Sequence, residues 1–375
     1  MAINVFPGYD LTIDSDGNLH NMYRDVDLGF GGWVYSNPGM YGRAITFDVA
    51  SLHPNSMIQL NYYGEFQQNF NDLVSARLFI KHGDFESAKK LFDGKLAPYL
   101  NDPKQAKQLS KALKIAINSC YGLTSSSYDV PFVDKRNVNN IVALRGALFM
   151  KTLLDEVVAR GFKVIHIKTD SIKILEPTDD IQKFVMDFGK KYGYTFEIEH
   201  TWEKLCLIDN AQYIGKHGPD DPESPGEWEA VGDKFQSPYI FKVLFTKEPI
   251  EFNDLCETKS VSTSLYLDFN ENSPSEHHYH FVGKVGQFCP VIPGAGGGIL
   301  LRKGDGEKYS AAEGTKKKLL KKGEEEAYRW LESEDIKTKG LESYIDRSYY
   351  DIQVDDAIST LNKFGDAEWF MESSN

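Results

Sequence analysis

The chain has 375 residues, 41% hydrophobic and 26% charged, the balance of a soluble globular protein long enough for two or three cores. Its net charge of −13 argues, as a sum, against a nucleic-acid partner, although the distribution of charge matters more than the total. No apolar run reaches membrane-spanning length, the N-terminus lacks the features of a signal peptide, and Cys120, Cys206, Cys256 and Cys289 form no CxxC pair; a membrane span, a secretory leader, structural zinc and a disulfide framework are therefore not expected, and a reducing compartment is.

Residues 1–40 are rich in Gly, Asp and Asn and read as loops with short strands. Ala44-Ile45-Thr46-Phe47 reads as a strand that ends at Asp48. Leu73, Val74, Ala76, Phe79 and Ile80 recur at helical spacing, which predicts a helix over 66–82 with Gly83 as its stop. A second helical piece covers 85–92, Pro98 and Pro103 break the chain, and a long helix is expected over 104–120.

On that helix Lys104, Lys107, Lys111, Lys114, Asn118 and Tyr121 follow spacings of 3, 4, 3, 4 and 3 and so share one face. A solvated face is the plain reading of such a run. Against it, the usual acid partners are missing and the stripe ends in Asn118-Ser119-Cys120-Tyr121-Gly122. From Arg77 to Gly122 nine basic residues stand against four acids, so this segment is cationic within an acidic chain.

A helix over 142–160 precedes a β-hairpin, 163–168 and 171–175, with Thr169-Asp170 near its tip. A helix over 181–192, strands over 194–199 and 205–208, and a polar loop over 219–226 follow. Beyond about residue 237 the composition shifts, and strands are expected near 239–245 and 280–288, then C-terminal helices. The Gly-rich stretch 293–298 lacks the Gly-Lys-Ser/Thr ending of a P-loop and reads as a loop. His277-His278-Tyr279-His280 lacks helical ligand spacing and reads as a polar loop rather than a metal site. Lys316, Lys317, Lys318, Lys321 and Lys322, followed by Glu324, Glu325 and Glu326, suit either a solvated helix or a grip on duplex phosphates.

Three stretches carry chemistry: Phe47-Asp48-Val49-Ala50-Ser51-Leu52-His53-Pro54, then Lys114-Ile115-Ala116-Ile117-Asn118-Ser119-Cys120-Tyr121-Gly122, then His166-Ile167-Lys168-Thr169-Asp170-Ser171. Two carboxylates at the ends of β-branched runs plus a cationic helix suit metal-bound phosphate, because phosphoryl transfer is mostly positioning and charge stabilisation. In this order the stretches resemble motifs A, B and C of the family-B DNA polymerases, including tailed-phage replicative enzymes, over about residues 29–213.

The resemblance implies an α+β right-hand polymerase: an antiparallel-sheet palm (1–65 and 124–236), helical fingers (66–123) and a mixed thumb or thumb equivalent (237–375). It implies template-directed addition of dNTPs to a primer 3′-OH. Asp48, Asp170 and the Val49 carbonyl are the expected ligands of two Mg²⁺ ions, with Mn²⁺ able to substitute, and Lys114 the catalytic contact to triphosphate. Ser51, Leu52, His53, Arg77, Lys81, Asn118 and Tyr121 complete the expected nucleotide site. Gly31, Gly32, Gly122, Lys168, Thr169, Tyr213 and Lys216 are the expected contacts to primer-template DNA.

The chain departs from the family pattern at several places. Lys168 stands where motif C usually has a first Asp, and its ammonium is expected on a primer phosphate or a nearby carboxylate. His53 replaces a Tyr that blocks a ribose 2′-OH, so sugar discrimination is expected but not assured. Gly29 replaces the Tyr of a template-following Tyr-x-Gly-Gly element, and Ala211 the Lys of a Lys-x-Tyr primer contact, whose charge Lys216 could supply. The residues before Asp48 are too few for the family's exonuclease domain, which implies a separate exonuclease, or none, and leaves room for a processivity subunit. The short intervals between the motifs argue against protein priming. The expected location is the cytoplasm of an infected bacterial host. The rival readings are a non-catalytic polymerase-like nucleic-acid-binding subunit, favoured by Lys168, and a ribonucleotide-accepting primer synthase, left open by His53.

Overall fold

The computed structural model describes residues 5–124, 138–269, 277–303, 309–311, 317–319 and 325–372. The chain is α+β with antiparallel sheets and divides into two compact units, Met1–Ala211 with Gly215–Glu229, and Gln212–Ile214 with Ala230–Asn375. Among the described residues no helix is long and apolar enough to cross a membrane.

In the first unit, β1 (Tyr9–Ile13), β2 (Leu19–Tyr23) and β3 (Val26–Asp27) form a small sheet. The central sheet has the order β11-β10-β9-β6-β8-β7-β4, with β5 also paired to β9. Its strands are β4 (Val34–Ser36), β5 (Gly39–Tyr41), β6 (Ala44–Val49), β7 (Val164–Lys168), β8 (Ser171–Leu175), β9 (Phe196–Leu207), β10 (Tyr213–His217) and β11 (Trp228–Val231). The helices are α1 (Leu52–Gln59), α2 (Gln67–Lys81), α3 (Phe85–Lys89), α4 (Pro103–Thr124), α5 (Ile141–Ala159) and α6 (Asp179–Lys191).

Alternation along the central strands decides what each face carries. Ile45, Phe47 and Val49 of β6 and Ile172 and Ile174 of β8 enter the core, which leaves Thr46, Asp48, Ser171 and Lys173 on the opposite face. Leu148, Phe149 and Leu153 of α5 and Val185 and Phe188 of α6 cover the core face. The N-terminal two-thirds of α5 is buried almost all round, as an interior helix should be. A Cβ at Gly146 would lie 2.8 Å from Leu52 Cδ2, so glycine lets α1 sit close on α5 and sets where α1 begins.

A second core in this unit is helical. Phe70, Val74 and Ile80 of α2 pack with Ala106, Leu113 and Ile117 of α4. That packing leaves Lys104, Lys107, Lys111, Lys114 and Asn118 exposed on the expected stripe. Gly83, at φ +77°, follows α2 as the expected stop. The long helix runs to Thr124, past the expected end at 120 and through Gly122.

Where strands over 194–199 and 205–208 were expected, β9 is one strand. Between those two stretches Trp202 is buried and Glu203 pairs with Lys216 on β10.

The second unit holds α7 (Pro238–Phe241), β12 (Glu257–Asp268), β13 (Tyr279–Val291), β14 (Ile299–Lys303), β15 (Tyr309–Ala311), β16 (Lys317–Leu319), β17 (Glu325–Ala327), β18 (Arg329–Glu332), α8 (Ser333–Lys339), α9 (Ser348–Asn362) and α10 (Ala367–Met371). Its main sheet has the order β15-β14-β12-β13-β18, over a core that includes Leu265, Phe288, Trp330, Tyr349 and Tyr350. The expected strand at 239–245 is instead α7 followed by a π-helical turn, Lys242–Thr246. A short apolar run has no period that separates a buried strand from a buried helix, and Pro238 at the first turn favours the helix.

In the lysine-glutamate stretch, for which a solvated helix and a grip on duplex phosphates were both open, Lys317–Leu319 pairs with Glu325–Ala327 as strands; Lys316, Lys321, Lys322 and Glu324 lie outside the described residues. Residues 293–298 form the expected loop, while Tyr279 and His280 belong to β13.

Candidate active site

A cleft of about 330 Å³ opens in the first unit where β6 runs into α1. Asp48, Val49, Ser51, Leu52, His53, Arg77, Lys114, Asn118, Tyr121 and Asp170 all line it, together with Pro54. These residues come from four stretches far apart in the chain, and the fold gathers them around one cleft.

Register explains the carboxylates. Asp48 sits opposite Ser171 on β8 and opposite Glu197 on β9. Asp170 occupies the two-residue turn between β7 and β8, and its carbonyl accepts the Val49 N–H at 2.8 Å. Thr169 takes φ +57°, the left-handed conformation that a tight hairpin turn requires. Burial, then the charges of Asp170 and Glu199, push the Asp48 carboxyl up to about 8; Lys81 pulls it down, and Glu197 adds a smaller push. Burial likewise raises Asp170. Among the described residues neither carboxylate has an ion-pair partner. A pair of half-buried, mutually repelling carboxylates, with no ion pair to either among the described residues, is a donor set that suits divalent ions.

The opposite wall is cationic. Arg77 and Lys114 reach the cleft from α2 and α4, and Arg77 Nη1 donates to the Ser51 hydroxyl. Burial lowers the Arg77 pKa, the mark of a guanidinium held partly out of water. Ser51 adopts φ +62° and caps α1. Leu52 and His53 follow in the first turn, where backbone N–H groups have no intrahelical acceptor.

The His53 ring stacks on Tyr121 with centroids 4.3 Å apart at 19°. Its Nδ1 is buried without a protein partner, and burial lowers its pKa, so the imidazole presents a flat neutral face. The Tyr121 hydroxyl donates to Asn140 Oδ1 at 3.1 Å, and Asn140 Nδ2 donates to the Phe30 carbonyl at 2.7 Å. This relay ties α4 to the Gly31-Gly32 loop.

Gly32 itself abuts the carboxylate turn. A Cβ there would lie 2.3 Å from Thr169 Oγ1 and 3.0 Å from Thr169 Cβ, and the Thr169 N–H is already fixed on the Trp33 carbonyl at 3.0 Å. Gly32→Ala is therefore expected to leave the fold intact by circular dichroism but to displace Asp170, with loss of activity on the order of 10²-fold.

Other expected residues lie outside the cleft lining. Lys81 pairs with Glu197, which also holds His82. Lys81→Ala is expected to change nucleotide KM by no more than about fivefold, since an exposed pair is worth about 0–1 kcal/mol. Lys168, at the end of β7, is exposed and has no ion pair among the described residues, so of its two expected partners, a primer phosphate or a nearby carboxylate, the second is not seen. Gly122 is exposed on α4. Tyr213 is buried on β10, and Lys216 on the same strand is mostly buried against Glu203 at 3.0 Å. Neither is gathered at the cleft.

Three residues escaped the sequence reading. Glu197 and Glu199 on β9 add acid beside Asp48, and the alternation Phe196-Glu197-Ile198-Glu199 was the available signal. Lys173 is buried beside Thr46 on the cleft face of the sheet, and burial takes its pKa down to about 8 against the pull of Glu199, Glu229 and Asp48.

Among solved structures the chain is similar to that of the family B DNA polymerase from the hyperthermophilic archaeon Pyrobaculum calidifontis, with 13% sequence identity and a TM-score of 0.47. The match covers 88% of this chain and 46% of that one, so this chain spans less than half the length of that protein. No family model matches the chain, and no curated protein does.

Proposed function

We propose that this chain is the polymerase region of a template-directed DNA polymerase of the family-B type. The carrying observation is the cleft itself: two carboxylates from neighbouring strand ends face an arginine and a lysine from two helices. In this reading residues 1–65 and 124–236 are palm, 66–123 fingers, and 237–375 a thumb or its equivalent.

Asp48, Asp170 and the Val49 carbonyl would hold two divalent ions, Mg²⁺ or Mn²⁺, which when bound supply charge stabilisation to the attacking and leaving oxygens. The chain's own groups do the rest. Arg77 and Lys114 bind the triphosphate, and the N–H groups of Leu52 and His53 at the start of α1 meet its oxygens. The stacked His53 and Tyr121 rings back the sugar and base, with Asn118 beside them. Gly31, Gly32 and Thr169 follow the DNA, and exposed Lys168 offers a cation to a primer phosphate. The primer 3′-OH then attacks the α-phosphate and pyrophosphate leaves.

A primer-extension assay with Mg²⁺ and the four dNTPs tests this. The expected result is addition of the nucleotide complementary to the template base. A second reading, a non-catalytic nucleic-acid binder, draws on Lys168 standing where a carboxylate would be. Salt-sensitive primer-template binding with no nucleotide addition would select it. Incorporation of ribonucleotides as readily as deoxynucleotides would instead select the primer synthase.

A further inference from the structure

A second set of ligating side chains lies inside the first unit, apart from the cleft lining. His200 on β9, His217 at the end of β10 and Asp221 in the following loop each bring a donor atom to within 4.8 Å of the others. The Asp221 side chain is 0% exposed, His217 3% and His200 18%.

Asp221 Oδ2 lies 3.1 Å from His217 Nδ1 and 3.3 Å from His200 Nδ1. Charge-assisted N–H···O⁻ bonds run at about 2.7–2.9 Å, so both separations are long for direct bonds. They fit the edge of a tetrahedron whose ligands sit about 2.0–2.1 Å from a central ion, an edge of about 3.3–3.4 Å. The same oxygen already accepts the Thr201 N–H at 2.8 Å, so two further imidazole donors would crowd it.

The surroundings are those of a built site. His217 Nε2 lies 3.1 Å from Glu229 Oε2, the outer carboxylate contact that orients a ligating histidine. Asp221 Oδ1 accepts the Glu223 and Ser224 N–H groups at 3.0 and 2.8 Å, which fixes the carboxylate plane. Trp202 stacks on the His217 ring at 4.4 Å and 25°.

We propose that His200, His217 and Asp221 form a zinc site that clasps β9, β10 and the loop after β10. Two imidazoles and one carboxylate select a borderline transition ion over Mg²⁺, and a water completes four-coordination. The inference is independent of the polymerase reading. No pattern announced it, because the two histidines stand alone in the sequence.

The test uses the full chain without a polyhistidine tag and with Asp48→Asn and Asp170→Asn, which removes the cleft as a competing site. The protein is stripped with chelator, re-equilibrated with Zn²⁺ and desalted, and metal is measured by atomic emission. A single retained equivalent is expected, lost in His200→Gln and in His217→Gln. Glu229→Gln should weaken Zn²⁺ affinity by about 10- to 100-fold. Co²⁺ in the unsubstituted site should give the intense visible bands of a tetrahedral ion, a readout that survives if the histidine variants fail to fold. No retained zinc, retention unchanged in both histidine variants, or only weak octahedral cobalt bands would overturn the proposal.

Discussion

Asp48→Asn and Asp170→Asn should each abolish nucleotide addition while leaving primer-template binding within a few-fold of the parent. Losing one shared carboxylate removes several kcal/mol of charge stabilisation in the transition state, on the order of 10³-fold in rate or more. Single-turnover primer extension measures the first effect and fluorescence anisotropy the second. Undiminished extension by either variant would refute the assignment.

The same substitution at Asp48 should stabilise the metal-free protein, and the sign follows from the pKa. Burial and neighbouring acids hold the Asp48 carboxyl at about 8 in the folded chain, far above its ordinary value near 3.8. Between those two values the folded protein keeps a proton that the unfolded chain releases. Stability is therefore fully present below the ordinary carboxylate range and is lost as pH rises toward the folded value. Asp48→Asn removes that loss, so its advantage in stability should grow from about pH 5 to about pH 8, reaching on the order of 1–3 kcal/mol after solvent screening, and melting temperature should follow it. Mg²⁺ should stabilise the parent by about 2.7 kcal/mol at a concentration 100 times its Kd, raising its melting temperature and not that of the Asn variant. A melting difference flat across this pH range would show that the carboxyl pair is not held as the cleft geometry requires.

Lys114→Ala should lower kcat/KM for the incoming nucleotide by about 10²- to 10³-fold, the range for one preorganised donor on developing charge. Lys114 is exposed on α4, lines the cleft together with Arg77 and has no ion pair among the described residues, which under the proposed function leaves its ammonium open to substrate. Primer-template affinity should stay within about twofold, because one phosphate contact among many carries little of the salt-dependent binding. Lys114→Arg should recover part of the loss. Unchanged nucleotide kinetics in Lys114→Ala would remove α4 from the nucleotide site. The contrast with the small effect expected at Lys81 is itself informative, since Lys81 is already committed to Glu197.

Local pattern was enough to determine much of this protein. Apolar, β-branched runs identify β6, β7 and β8, and the helical period identifies α2 and α4, whose buried residues recur on one side. The Lys114 stripe was legible from its helical spacing along α4, and the Asp48, Asp170 and His53 positions from the motifs the chain resembles. Where the period is too short or is masked by charge, pattern failed: the apolar run at 239–245 is helix and turn, and charged Glu203 and Lys204 lie within the single strand β9. Only the tertiary structure decided which charges face one another. It set Glu197 against Asp48, took Lys81 and Lys216 into ion pairs, buried Lys173 on the cleft face of the central sheet, and brought His200, His217 and Asp221 together. Those outcomes depend on strand register and crossing helices, and contacts between residues distant in the chain leave no periodic trace in it.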